Sequence, residues 1–177
     1  YSSEKIVIKC GGRVLLDPDL FSNFINDVTT LKKLGLTPVI VHGGGPRIKK
    51  KLEELNIESK FIMGLRVTDE KIIKVVEEVM IEFNKEIIIA LEKKECKAKS
   101  LTVKENSTIE VEQKNKVLGY VGRPTKIDSK LINNIIKENF IPVVSPMGLD
   151  KNKKTYNINA DTAAGALAKS LKSRRLM

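Results

Sequence analysis

"KIVIKCGGRVLLDPDLFSNFINDVTTLKKLGLTPVIVH", residues 5–42, decides the fold. Ile6, Val7 and Ile8 stand side by side, the mark of a strand covered on both faces, and the run ends at Gly11-Gly12. Asp17 suits a helix N-cap and Pro18 the first helical turn, with Leu20, Phe21, Phe24, Ile25, Val28 and Leu31 spaced along one face. Gly35 closes that helix, and "LTPVIVH" reads as a second buried strand. Strand, helix and strand in that order make a right-handed crossover joining a parallel pair. The fold class is α/β.

Outward from there the alternation continues. "GGGPRIKKKLEEL" turns into a helix with Pro46 near its start, and residues 58–67 allow a hairpin. A long helix from about Thr68 to Lys93 carries Ile72, Ile73, Val76, Met80, Phe83 and Ile87. Residues 98–122 read as short antiparallel strands, Asp128 or Ser129 caps another helix, and "FIPVVSPMG" is a third buried strand. No repeat, low-complexity tract or linker interrupts the chain, so residues 1–177 form one continuous domain.

Composition bounds the function. With 177 residues and 41% hydrophobic content the chain can close one core. No apolar run approaches the roughly 18 residues of a membrane span and no leader pattern opens the sequence, so a cytoplasmic protein without a membrane partner is expected. Cys10 and Cys96 lack metal-ligand spacing, so reduced thiols and no protein metal site are expected. The net charge of +10 fits a nucleic-acid binder, a trap for small acidic substrates, or a solvated lysine-rich surface. Aromatic content of 5%, scattered lysines and short clusters at Lys49 to Lys51 and Lys151 to Lys154 argue against nucleic acid.

Ligands of open α/β sheets sit beyond the carboxyl ends of the strands, so Gly11-Gly12, Gly43-Gly44-Gly45 and Pro146-Met147-Gly148 should share one edge. Glycines let backbone N–H groups approach an anion, although "HGGGP" alone is equally a tight strand-to-helix turn. No Gly-Lys-Ser/Thr follows at the spacing of a Walker motif. Lys9 ends a buried strand, where an ammonium is costly unless it meets an anion or snorkels to solvent. Arg66 in "GLRVTD" can take a carboxylate bidentately, or pair with Asp69 or Glu70 at the surface. In "NINAD", an extended segment would turn Asn157, Asn159 and Asp161 one way and Ile158 to the core, while Asp161 could equally be a plain N-cap.

"IVIKCGG", "PVIVHGGGPRI", "GLRVTD", Asn84-Lys85, "LGYVG", "FIPVVSPMG" and "TYNINADTAAGALA", in this order, resemble the acetylglutamate kinases of the amino acid kinase family. The glycine loops alone would also suit carbamate kinases, aspartokinases or uridylate kinases; "GLRVTD" and "YNINAD" carry the finer resemblance. It implies an open, mainly parallel sheet with helices on both faces, forming an N-terminal lobe that binds N-acetyl-L-glutamate. It also implies ATP with Mg2+ as phosphoryl donor, the metal being carried by the nucleotide, and a homo-oligomer, a dimer or an assembly of dimers, in which the long helix would serve as interface.

By the same resemblance Lys9 would stabilise the transferring phosphoryl group, and Gly11 and Gly12 would give it amides. Gly44 and Gly45 would flank the reacting carboxylate. Arg66 and Asn157 would hold the α-carboxylate and the acetylamino end, with Asn159 nearby, and Asp161 would organise lysines. No catalytic histidine is needed, and His42 reads as a strand-end structural residue. Departures from the family pattern fall at Arg13, Cys10 and "LTVKENST", which lacks the glycines usual in that turn. "SRRLM" reads as the opening of a further strand, so the chain is expected to be the acid-binding lobe without its nucleotide-binding partner lobe; the alternative is a stand-alone lobe that holds the acid without turnover.

Overall fold

The computed structural model describes residues 4–176. The elements run β1 (Lys5–Cys10), α1 (Pro18–Lys33), β2 (Thr37–His42), α2 (Gly45–Glu54), β3 (Phe61–Ile62), β4 (Leu65–Arg66), α3 (Glu70–Lys93), β5 (Ala98–Leu101), β6 (Ile109–Gln113), β7 (Gly122–Ile127), α4 (Ser129–Lys137), β8 (Ile141–Val144), β9 (Met147–Leu149), β10 (Thr155–Asn157), α5 (Ala160–Leu171) and β11 (Arg174–Leu176). Five strands form a parallel sheet in the order β11-β1-β2-β8-β5, and β10-β9-β6-β7 form a smaller sheet beside it.

The apolar runs sort themselves by the period of two. Val7, Val39, Val41 and Val144 join Ile132, Ile135, Ala163, Ala164 and Leu167 in the core under α4 and α5. Cys10, Ile40 and Val143 face the other way onto Ile25 and Val28 of α1 and Phe83, Ile87 and Leu91 of α3. Helices therefore cover both faces, which is why β2 is buried at every position. Each such valine or isoleucine contributes about 1.5–3 kcal/mol by leaving water.

Local chemistry sets the ends. Asp17 caps α1 by accepting from the Asp19 and Leu20 N–H groups. At its C-terminus Leu36 N–H bonds the Leu31 carbonyl, Gly35 N–H bonds that of Lys32, and Gly35 sits at φ +89°, the conformation glycine adopts most easily. Leu20 departs from the expected core face: it is exposed, and Thr29 takes a buried place on the helix instead. Asp69 caps α3, so that helix starts at Glu70, and Asp128 caps α4.

The expected hairpin at 58–67 is present as β3 and β4, turned at Met63 and Gly64, both with positive φ. Antiparallel pairing over 98–122 holds for β6 with β7 and fails for β5, which runs parallel to β8 from Ala98↔Ile141 to Leu101↔Val144. The 24-residue α3 spans the sheet and returns the chain to its starting edge, so the next strand can only enter parallel. "FIPVVSPMG" is likewise two strands: β8 stops at Val144, and Met147–Leu149 crosses into the small sheet.

In the turn that lacks glycine, Asn106 supplies the positive φ and its amide donates to the Ser100 carbonyl. Residues Arg174–Leu176 do open a strand, parallel to β1; Tyr1 and Met177 lie outside the described residues. Among the described residues no helix is long and apolar enough to cross a membrane.

Candidate functional site

The carboxyl ends of β1, β2 and β8 meet at one edge of the sheet, and a cavity of about 280 Å³ opens there. Lys9, Gly12, Gly43, Gly44 and Gly45 line it from the first two strand ends, Arg66 and Phe61 from the hairpin, and Asn157 and Asn159 from the approach to α5. Seven of the nine residues expected from the sequence thus share one wall. Gly11 lies in the turn beside it, where an added Cβ would meet no atom within 4 Å, and Asp161 reaches it through Lys9.

Two helices present their N-termini here, α2 at Gly45 and α5 at Ala160. Their unpaired amides and dipoles favour an anion. Among the described residues the N–H groups of Gly12, Gly44 and Gly45 have no protein acceptor. Gly12 is further constrained because a Cβ there would lie 2.4 Å from Pro46 Cδ. At Gly44 the same atom would press on Met80 Sδ at 3.0 Å. Each loop thus has one position, Gly12 or Gly44, where a Cβ would be crowded.

Lys9 does not snorkel; its Nζ lies 3.0 Å from Asp161 Oδ1 with the side chain 25% exposed. The helix cap is Asn159, whose Oδ1 accepts from Thr162 N–H at 3.1 Å, so the extended run expected through Asp161 ends two residues earlier. That geometry puts Asp161 in the first turn of α5, facing Lys9 rather than capping. The Asn159 amide N–H2 has no protein acceptor among the described residues. Ile158 between the two asparagines is buried, as the spacing predicts.

Arg66 is 7% exposed, and no carboxylate pairs with it among the described residues; the Asp69 or Glu70 partnership does not form. Its guanidinium donates to Ser59 Oγ at 3.0 Å and the Gly45 carbonyl at 3.4 Å and lies 4.7 Å from the centre of the Phe61 ring. Burial pulls its pKa down from the ordinary value. Neither Ser59 nor Phe61 carries a spacing signal in the sequence, one being a serine and the other an exposed phenylalanine of β3.

Behind the glycine loop, His42 is fully buried and its ring is stacked on Phe83. Burial lowers its pKa to about 4, only partly opposed by its hydrogen bond to the Gly43 carbonyl. Asn84 and Ser145, from α3 and the end of β8, touch its other nitrogen. Cys10 is packed in the core and burial pushes its thiol up to about 12, so it is a packing residue, while Arg13 is exposed.

Comparison with known proteins fits this architecture. The chain is 60% identical over its whole length to an acetylglutamate kinase of Pelagibacter ubique, spanning 62% of that protein. It is 44% identical over 97% of its length to one of Petrotoga mobilis, spanning 58%. The chain therefore covers less than two thirds of these relatives. A crystal structure of a Streptococcus mutans protein superposes with a TM-score of 0.88 at 30% identity, over 95% of this chain and 69% of that one. The sequence profile of the amino acid kinase family matches residues 4–177, and the chain belongs to that family.

Proposed function

We propose that this chain is the acid-binding lobe of an acetylglutamate kinase, which transfers a phosphoryl group from ATP to the side-chain carboxylate of N-acetyl-L-glutamate. One observation carries the reading: Arg66 is a buried guanidinium with no carboxylate beside it among the described residues, on the wall of a cavity whose other groups also favour an anion. The 60% and 44% identical relatives support the substrate. Since the chain spans under two thirds of them, the complete reaction is assigned to the whole protein.

The donors present suit a phosphoryl group: the Gly12 amide, the Lys9 ammonium and the open space beside Gly11. MgATP, when bound, would supply that group together with the metal that neutralises the nucleotide's oxygens. Lys9 and the Gly11-Gly12 turn hold the transferred oxygens, and Asp161 keeps the Lys9 ammonium aimed. Gly44 and Gly45 donate to the reacting carboxylate. Arg66 and Asn157 grip the far end of the substrate, and Asn159 adds a donor. A carboxylate is already a nucleophile at neutral pH, so these residues need only align it and balance charge.

The same reading places the protein in the cytoplasm, consistent with free, buried Cys10 and Cys96. It makes α3 an interface in a homo-oligomer, where Ile89 is an exposed apolar residue. Calorimetric titration of the chain with N-acetyl-L-glutamate, with and without MgATP, tests the assignment. Saturable binding lost in Arg66→Ala is expected. A folded chain that takes up no N-acetyl-L-glutamate under either condition overturns it.

A further inference from the structure

The pocket wall explains where the donors are, and the layer behind it explains why one of them points outward. His42 Nδ1 lies 3.0 Å from the Gly43 carbonyl oxygen, which can only accept, so Nδ1 carries the proton. The opposite side of the ring gives the same answer independently. Asn84 Nδ2 donates to the Val143 carbonyl at 2.9 Å, which fixes the orientation of that amide. Its second N–H then faces His42 Nε2 at 3.2 Å, with Ser145 Oγ at 2.9 Å, so Nε2 accepts.

Phe83 stacks on the imidazole at 4.9 Å, and Arg47 lies 4.7 Å over the other ring of that column while gripping Glu86 with both nitrogens. The Gly43 loop, α3 and the residue after β8 thus hold the imidazole, and Arg47 of α2 backs the Phe83 ring stacked on it. Asn84 Oδ1 is buried without a hydrogen-bond partner among the described residues, a cost that an apolar residue there would avoid. What the asparagine contributes here is its two N–H donors.

A trans peptide holds its carbonyl and the following N–H in one plane, pointing opposite ways, and no cis bond occurs here. The imidazole draws the Gly43 carbonyl inward, so the Gly44 N–H must face outward, into the cavity that Gly44 lines and where it meets no acceptor among the described residues. We propose that His42, locked as the Nδ1–H tautomer by Asn84 and Ser145, is a positioning residue that aims the Gly44 amide at the bound anion. It rests on the reading of this cavity as the acid site, and its test separates the two.

His42 is the chain's single histidine, so nitrogen-15 correlation spectra of the uniformly labelled protein contain one imidazole to assign. A protonated Nδ1 with a bare Nε2 at pH 7, and a Gly44 amide resonance that moves on adding N-acetyl-L-glutamate or inorganic phosphate, are expected. The Nε2–H tautomer overturns the inference, as does a Gly44 resonance indifferent to both anions. If phosphate moves Gly44 and N-acetyl-L-glutamate does not, the positioning role stands and the substrate assignment falls. In variants, His42→Leu should weaken anion binding about 10- to 100-fold. His42→Asn, whose amide donates from the Nδ1 position, recovers part of that loss, and His42→Gln, which donates from the Nε2 position, does not. Equal losses in all three overturn the role.

Discussion

Arg66 shows how a site differs from a core at the level of one side chain. A guanidinium held by a serine, a carbonyl and a ring gives up hydration and receives no opposite charge from the described residues. Replacing it with Met gives up the guanidinium's stacking on Phe61 but keeps an unbranched apolar side chain and removes the unpaired charge. Arg66→Met should therefore leave the urea midpoint unchanged or higher while weakening N-acetyl-L-glutamate binding by about 100-fold, the value of a bidentate charged pair. A loss of stability above about 1 kcal/mol would show that the charge serves the fold instead. The residues legible in the sequence were those with a physical oddity at a fixed place, such as Lys9 at a strand end or glycines after buried strands. Ser145 acts through a contact across the fold, and Ser59 and Phe61 through the pairing of a single short hairpin, so no apolar spacing announces them.

Among the elements, helices and buried strands were legible because their apolar spacing is repeated many times over, as in α3 or β2. β5 was not. "AKSL" is an edge strand with only its two end residues buried, so neither an apolar run nor clean alternation marks its direction, which is set by the length of the helix before it. Helix ends offer a sharper check. α5 finishes with Ser173 N–H on the Ala168 carbonyl and Lys172 N–H on that of Lys169, the bonding pattern that places the penultimate residue in the left-handed region. Lys172 occupies it at φ +53°, where a Cβ is unfavourable. Lys172→Gly should raise stability by about 0.5–1 kcal/mol, read as a higher thermal midpoint, although glycine elsewhere in this helix would lower it.

Across the whole molecule, a parallel sheet gathers every strand's carboxyl end at one edge, so loops distant in sequence become one cavity and one support layer behind it. That layer places the chain's only imidazole in the interior, with a consequence for the global stability curve. Folded His42 stays neutral down to a pH of about 4, whereas the unfolded imidazole titrates near 6.5. Between those values the unfolded chain binds the extra proton, so stability is complete above about pH 6.5 and falls as the pH drops toward 4. The shift corresponds to a loss of about 3 kcal/mol in full, and about 2 kcal/mol by pH 5, where most carboxylates are still ionised and the background change is small. Urea unfolding at pH 7.5 and pH 5 measures it directly. The wild-type chain should lose that amount and His42→Asn, which has nothing to titrate there, should lose almost none. Equal losses in both proteins would assign the acid sensitivity to self-repulsion of a chain already carrying a net charge of +10, and the buried imidazole would then have no part in it.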